Sequence, residues 1–386
     1  MVTDNIELVL LTAQDSYDSR KQQATEVARR FSDFVGNARR SVHIAIYDFR
    51  LEEGEARIVI DALSRAAASG IDVRVAYFQT RPRTRKAAHG GDRAPGPDEY
   101  FLKQFHKDVQ VKAVKGIRHL PPDVKALPIE GGGHLMHSKY IVVDGCSVWM
   151  GSANFTTDAW SIQDNNIVIL ESPDIAEYYE TDFNELWQSG RIAGTGKDDH
   201  GNASIDGVRV EVDFAPGDGA EMDQGIADLI LSAENEIVIA SMVISSGNVL
   251  SALADAIKRG VQLGGVYDGP EMNQVARVFG RGKNGASKTK LELWNIVKHY
   301  LVAKHSTPYS DDGPHDFMHN KLMVVDRHVV KTGSFNFSSN ATRNAESMIT
   351  IYDREIADEY AQYVRRLAAK YKGAEALSCN RHVQCS

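Results

Sequence analysis

Two histidine–lysine pairs carry the chemistry of this chain: His137 with Lys139 in MHSKYIVVDGCSVWMGSANF, and His319 with Lys321 in MHNKLMVVDRHVVKTGSFNF. Residues two apart on a strand project from one face, so each imidazole is set beside an ammonium while Ser138 points away. Ser152 and Asn154, and again Ser334 and Asn336, repeat that spacing downstream. Gly151 and Gly333 precede the serines and leave room for a ligand or backbone to approach closely. Each set is an anion site. Two sets face to face form a cage suited to a phosphodiester, with Ser152, Asn154, Ser334 and Asn336 expected to bind substrate. Lysine and asparagine donors stabilise charge built up on the phosphoryl oxygens. One imidazole attacks phosphorus and the other protonates the leaving oxygen, then activates water in the second step. The lysines already supply the charge, so neither a metal nor another cofactor is expected.

Carboxylates are expected to orient the imidazoles. Asp164 and Glu346 stand at the same 182-residue offset as the two motifs. Each is expected to accept a hydrogen bond from an imidazole and fix its tautomer. Asp144 and Asp326 end the HxK strands, an odd number of residues after the lysines, and so fall on the opposite face. They read as structural, holding the turn that follows. A lone strand histidine is usually a core group, and lysine is rarely buried without a partner. The combination occurs twice in one register, which a purely structural role does not explain.

The repetition extends well beyond these residues. Met136–Glu171 and Met318–Asp353 match at 14 of 36 positions, where roughly two are expected by chance. Each half opens with helical spacing (Gln22–Asn37, Met222–Ala233), followed by a β-rich run (SVHIAIYDF, EIVIASMVI). A helix ending in glycine and a second strand come next, then a basic stretch, the motif, another strand and an amphipathic helix. This is βαβ logic twice. The expected fold class is α/β: two homologous lobes from an internal duplication, 1–195 and 196–386, with mixed sheets flanked by helices. The polar, Gly-rich stretch Gln188–Gly207 is the expected join. A pseudo-twofold axis would bring both motif copies into one shared site.

The pattern His137, Lys139, Asp144, Gly151, Ser152, Asn154 and its second copy His319, Lys321, Asp326, Gly333, Ser334, Asn336 resembles the H-x-K-x4-D and G-S-x-N signature of the phospholipase D superfamily, over nearly the whole chain. The resemblance implies a phosphodiesterase acting through a covalent phosphohistidine, with His137 as nucleophile and His319 as acid/base. The superfamily acts on phospholipids, nucleic acids and other phosphodiesters. GSFNFSSNATRNAESMITI looks most like the bacterial nuclease branch and its mitochondrial relatives. That branch usually carries one motif per chain and dimerises. Here a monomer suffices for one site.

Substrate class stays open between a nucleic acid backbone, slightly favoured, and phospholipids. Net charge is -8, yet Gln79–His119 carries ten Lys/Arg against four Asp/Glu, and Gly269–Ser310 seven against two. Such islands suit a phosphate backbone or anionic headgroups. Trp294 and Tyr300 offer base stacking, although core packing is the commoner role. Leu120, Val124, Leu127 and Ile129, in a loop-like run leading to His137, offer a peripheral membrane contact. No apolar run reaches the length of a membrane span, and the N-terminus does not read as a signal peptide. A cytoplasmic location is expected, with secretion after processing left open. The three cysteines, two of them near the C-terminus, do not make a disulfide framework.

Overall fold

The computed structural model describes residues 4–79, 120–197, 199–310 and 313–383. The first half runs β1 (Ile6–Leu11), α1 (Tyr17–Gly36), β2 (Ser41–Ile46), β3 (Phe49–Arg50), α2 (Glu53–Ala68), β4 (Asp72–Gln79), β5 (Lys125–Glu130), β6 (Lys139–Val143), β7 (Ser147–Gly151), β8 (Phe155–Thr156), α3 (Thr157–Ser161), β9 (Asn165–Glu171) and α4 (Pro173–Ser189). The second runs β10 (Gly201–Ile205), β11 (Val208–Ala215), α5 (Gly219–Leu231), β12 (Glu236–Ser241), α6 (Gly247–Arg259), β13 (Gln262–Asp268), α7 (Gly269–Arg281), α8 (Gly285–Val297), β14 (Val302–Lys304), β15 (Lys321–Val325), β16 (Val329–Gly333), β17 (Glu346–Tyr352) and α9 (Arg354–Val383).

Among the described residues the first sheet has the order β1-β9-β7-β6-β2-β4-β5, and the second β10-β11-β17-β16-β15-β12-β13-β14. Apart from the extra edge strand β10, the two orders correspond strand for strand. Both sheets are mixed: β2 is parallel to β4 and antiparallel to β6, as β12 is to β13 and β15. The central HxK strands β6 and β15 are buried along their whole length, as strands covered on both faces must be.

The layers follow from which faces are apolar. Helices α1 and α2 cover the outer face of the first sheet, where Val27, Phe31, Leu63 and Trp149 form one core. Helices α5 and α6 cover the second sheet through Ile226, Ile230, Leu250 and Leu253. The inner faces share a third core that includes Phe183 from α4 and Tyr360 and Val364 from α9. The lobes therefore bury apolar surface against each other, and neither could be withdrawn without exposing that layer.

Several expectations shift. The stretch 188–207 is more than a linker: it contains the end of α4 and all of β10. The loop-like run 120–136 contains β5, paired in parallel with β4, and Val124 and Ile129 are buried. Two of the four proposed membrane-facing side chains are thus core, while Leu120 and Leu127 pack partly against it. Trp294 is buried edge-on to Tyr267, at 4.9 Å between ring centroids, so of these two candidates Tyr300 alone is exposed. The second basic island folds into α7, α8 and β14. The first, apart from Gln79, lies outside the described residues. No helix among the described residues is long and apolar enough to cross a membrane.

Candidate active site

The two motif copies meet where the lobes meet. Immediately before β6, the His137 N–H donates to Ala345 O of the other lobe at 2.8 Å. Immediately before β15, the His319 N–H donates to Asp164 O at 3.0 Å. Met136 and Ala345, and Asp164 and Met318, form short parallel bridges. This exchange is reciprocal, as in an isologous contact between two chains.

The side chains cross as well. His137 Nδ1 lies 2.8 Å from Glu346 Oε2, which also accepts from Ser334 Oγ at 2.6 Å; the other oxygen, Oε1, accepts from Asn344 Nδ2 at 3.1 Å. His319 Nδ1 lies 3.0 Å from Asn165 Oδ1, which accepts from Ser152 Oγ at 2.7 Å. Asn165 Nδ2 donates to Ala159 O and Gln163 Oε1, both at 3.1 Å. The amide oxygen is therefore turned toward His319. Each Nδ1 thus faces an oxygen acceptor, which favours the Nδ1–H tautomer of the neutral ring.

Asp164 is not the counterpart of Glu346. Its carboxylate accepts from Ala13 N at 2.9 Å, Lys304 Nζ at 2.7 Å and Tyr371 Oη at 2.6 Å. The strand register explains the discrepancy. Gly151 pairs with Ile167, whereas Gly333 pairs with Met348. The first half has one extra residue between motif and strand, and a one-residue slip sends a side chain to the other face. Asn165 occupies the orienting position, and Asp164 reaches His319 only through its backbone carbonyl. The serine assignments change too. Both residues are fully buried and their hydroxyls donate to Asn165 and Glu346, so they brace the groups that hold the histidines. No sequence signal short of the strand register could have found Asn165.

Lys139 and Lys321 are buried, and each donates to the carbonyl of its own histidine, at 2.5 and 2.7 Å. Lys139 Nζ also sits 5.1 Å from the Tyr47 ring centre, and the Tyr47 ring lies edge-on to His137 at 4.8 Å. Burial pushes Lys139 down to about 7 against the pull of Glu346 and Asp48. Burial and Lys139 drive Lys321 well below its ordinary value. His137 is held well below the usual imidazole range by burial, Lys139 and Lys321. His319 is held well below the usual imidazole range by burial, by Lys321 and Lys139 and by His137. Burial lifts Glu346 to about 7 although Lys139 and its hydrogen bonds pull the other way. Asn154 is buried and Asn336 half-buried, and the Oδ1 of each has no hydrogen-bond partner among the described residues.

Asp144 and Asp326 lie away from these groups. Asp144 accepts from the N–H groups of Arg39, Arg40 and Ser41 at 2.7–2.9 Å; Asp326 accepts from Glu234, Asn235 and Glu236 over the same range. They clamp the turns entering β2 and β12, not only the turns that follow them. Burial opposes ionisation, yet the three donors outweigh it and hold both carboxyls below the usual range. A Cβ on Gly151 or Gly333 would stand 2.2 Å from Asn166 O or Ser347 O, so these glycines admit neighbouring backbone. No group of three or more His, Cys, Asp or Glu among the described residues is placed to hold a metal ion.

The family described as "Cardiolipin synthase, PLD-like domain" matches residues 32–187 and 226–368. The chain belongs to the phospholipase D superfamily. It is 32% identical over 155 residues to a Rickettsia bellii protein named phospholipase D, a match covering 40% of this chain and 66% of that one. It is 42% identical over 53 residues to the mitochondrial cardiolipin hydrolase of Xenopus tropicalis, covering 14% and 25%. The phosphatidylserine synthase of Haemophilus influenzae superposes over 94% of this chain and 89% of its own, with TM-score 0.59 at 15% identity. That likeness speaks to fold. This chain spans just under two thirds of the length of the rickettsial relative.

Proposed function

We propose that this protein is a phosphodiesterase that cleaves through a phosphohistidine on His137, with the nucleic acid backbone as its favoured substrate. The observation that carries the reading is the pair of Nδ1-anchored imidazoles flanked by two buried lysines. His319 enters the step as the imidazolium, its Nε2 proton taken up with the bound anionic diester; His137 Nε2 attacks phosphorus while His319 donates that proton to the departing oxygen, so the P–O bond breaks as the P–N bond forms. His319 then takes a proton from water, whose oxygen attacks phosphorus and releases His137. Lys139, Lys321, Asn154 and Asn336 hold the phosphoryl oxygens.

The unequal partners support this division of labour. A phosphorylated imidazole carries positive charge, and the Glu346 carboxylate stabilises it. Asn165 fixes the tautomer of His319 without adding charge, which keeps its imidazolium a strong acid. The same proposal takes 1–195 and 196–386 as descendants of one lobe, one monomer as a complete enzyme, and the cytoplasm as its setting. No metal enters these steps.

Phospholipid cleavage is the second reading. It is favoured by the names of the relatives, phospholipase D and cardiolipin hydrolase. One assay in EDTA offering both labelled oligonucleotides and phospholipid vesicles separates the two. Trapped phosphoenzyme should vanish in His137→Asn and persist in His319→Asn; the reverse result would reassign the nucleophile, and no phosphoenzyme in either or in the wild type would refute the mechanism.

A further inference from the structure

Each side chain that orients a histidine is itself held by a buried amide two residues earlier in the chain. In the second lobe Asn344 Nδ2 donates to Glu346 Oε1 at 3.1 Å, and Asn344 Oδ1 accepts from Leu135 N of the first lobe at 2.9 Å. In the first lobe Gln163 Oε1 accepts from Asn165 Nδ2 at 3.1 Å, and Gln163 Nε2 donates to His315 O of the second lobe at 2.9 Å. Leu135 and His315 belong to the segments that enter His137 and His319. Both amides are buried. At the 182-residue offset Asn344 falls on Ile162, so its equivalence with Gln163 emerges only from the strand register.

The two amides are turned opposite ways, and the turn follows the group each one serves. Ionised Glu346 can only accept, so Asn344 gives it an N–H and keeps its oxygen for a backbone N–H. Asn165 presents its oxygen to His319 and its NH2 to Gln163. Gln163 must therefore accept, and it keeps its own NH2 for a backbone carbonyl. A side chain serving the entering segment alone needs only one end of its amide.

Glu346 has no exposed side-chain surface, and a buried carboxylate is costly unless its oxygens are met by donors. Facing it are His137 and Lys139 of the first lobe, Tyr47 just after β2, and Ser334, Lys321 and Asn344 of its own lobe. His137 and Ser334 share Oε2, whereas among the described residues Asn344 alone donates to Oε1. Burial already lifts Glu346 to about 7, and losing a donor to the charged form raises it further.

We propose that Asn344 is a positioning residue for His137 that acts through Glu346: by donating to Oε1 it keeps the carboxylate an acceptor for the His137 Nδ1–H and so leaves the lone pair on Nε2. Protonated Glu346 donates to Nδ1 instead. The ring proton of neutral His137 then sits on Nε2, and the pair that attacks phosphorus is gone. The inference rests on the reading of His137 as nucleophile and deepens it.

Asn344→Asp keeps an acceptor for Leu135 N and sets a second carboxyl against Glu346. The acid limb of kcat/KM on bis(p-nitrophenyl) phosphate should move up by about one unit, with about tenfold loss near neutral pH that closes as pH rises. Asn344→Leu, of similar size and without charge, should move the limb in the same direction. An unmoved limb in both variants, or a loss equal at every pH, overturns the inference. In a Glu346→Gln background neither change should move the limb, and a limb that still moves there overturns it as well.

Nitrogen NMR of labelled histidine side chains, with the His137 signals identified by their loss in His137→Asn, reads the tautomer without catalysis. At about pH 8 the wild type should be Nδ1–H, and Asn344→Asp should gain the Nε2–H form. The same tautomer in both overturns the inference. If the tautomer responds while the wild type forms no phosphoenzyme, the phosphohistidine reading falls and the positioning of His137 stands. Phosphoenzyme in the wild type with neither limb nor tautomer responding overturns the positioning alone.

Discussion

Glu346 Oε2 lies 2.8 Å from Nδ1 of His137, a residue of the other lobe. The matching contact on His319 is made by the neutral amide of Asn165 at 3.0 Å. Duplication supplied two copies of one motif, yet their imidazoles are held by chemically different groups, and each is held by a residue from the strand that follows the other copy of the motif.

Replacing Glu346 by Gln keeps the hydrogen bond and removes the charge. We expect a loss of about ten- to a hundredfold in kcat/KM, from weaker stabilisation of the phosphoenzyme. Asn165→Asp adds a carboxylate beside His319 and should raise its pKa, moving the alkaline limb of the pH–rate profile up by about one unit. Profiles of both variants on one p-nitrophenyl diester check this. An unmoved limb in Asn165→Asp would separate His319 from the acid role.

Anion binding should depend on pH above neutrality. Burial pushes Lys139 down to about 7, and Lys321 is lowered by burial and by Lys139. A bound phosphate-like anion favours both protonated lysines, so binding takes up protons. Affinity is then full below the free-site values and falls as pH rises past about 7. Titration calorimetry with tungstate in buffers of different ionisation enthalpy should show net proton uptake near neutral pH; zero uptake would contradict the lysine shifts.

The Asp164 carboxylate anchors buried Lys304 and the Tyr371 hydroxyl of α9. Asp164→Asn leaves Lys304 as an uncompensated buried cation and should cost about 3–5 kcal/mol in denaturant unfolding. Tyr371→Phe removes one hydrogen bond and should cost about 1–3 kcal/mol. A large loss in both would mean that the C-terminal helix, not the charge pair, holds this corner.

Asp182 and Asp199 form a buried acidic pair where the first lobe passes into the second, with Tyr140 Oη donating to Asp182 at 2.5 Å. Burial raises both carboxyls, and their mutual repulsion with Glu185 raises Asp199 further. Because the folded pKa values exceed the unfolded ones, this pair contributes most at low pH. Stability should fall as pH climbs from about 4 through neutrality. Asp199→Asn should flatten that decline and stabilise the protein at alkaline pH; an unchanged slope in thermal unfolding would show that the pair does not titrate with folding.

Much of this protein is legible as sequence because its signals are local. HxK and GSxN place their groups by the two-residue period of strands, and the repeat itself implies two lobes and one site. Helices α1, α5 and α6 follow from apolar spacing that needs no knowledge of the rest of the chain. Other features are not local. The 182-residue offset pointed to Asp164, but the pairing of Gly151 with Ile167 put Asn165 in its place, because strand register is set by tertiary hydrogen bonds and a single extra residue reverses every face. Packing likewise engaged the hydroxyls of Ser152 and Ser334 with Asn165 and Glu346 and turned Trp294 inward. The letters named the two histidines; only the packing of one lobe against the other chose the partner that each would have.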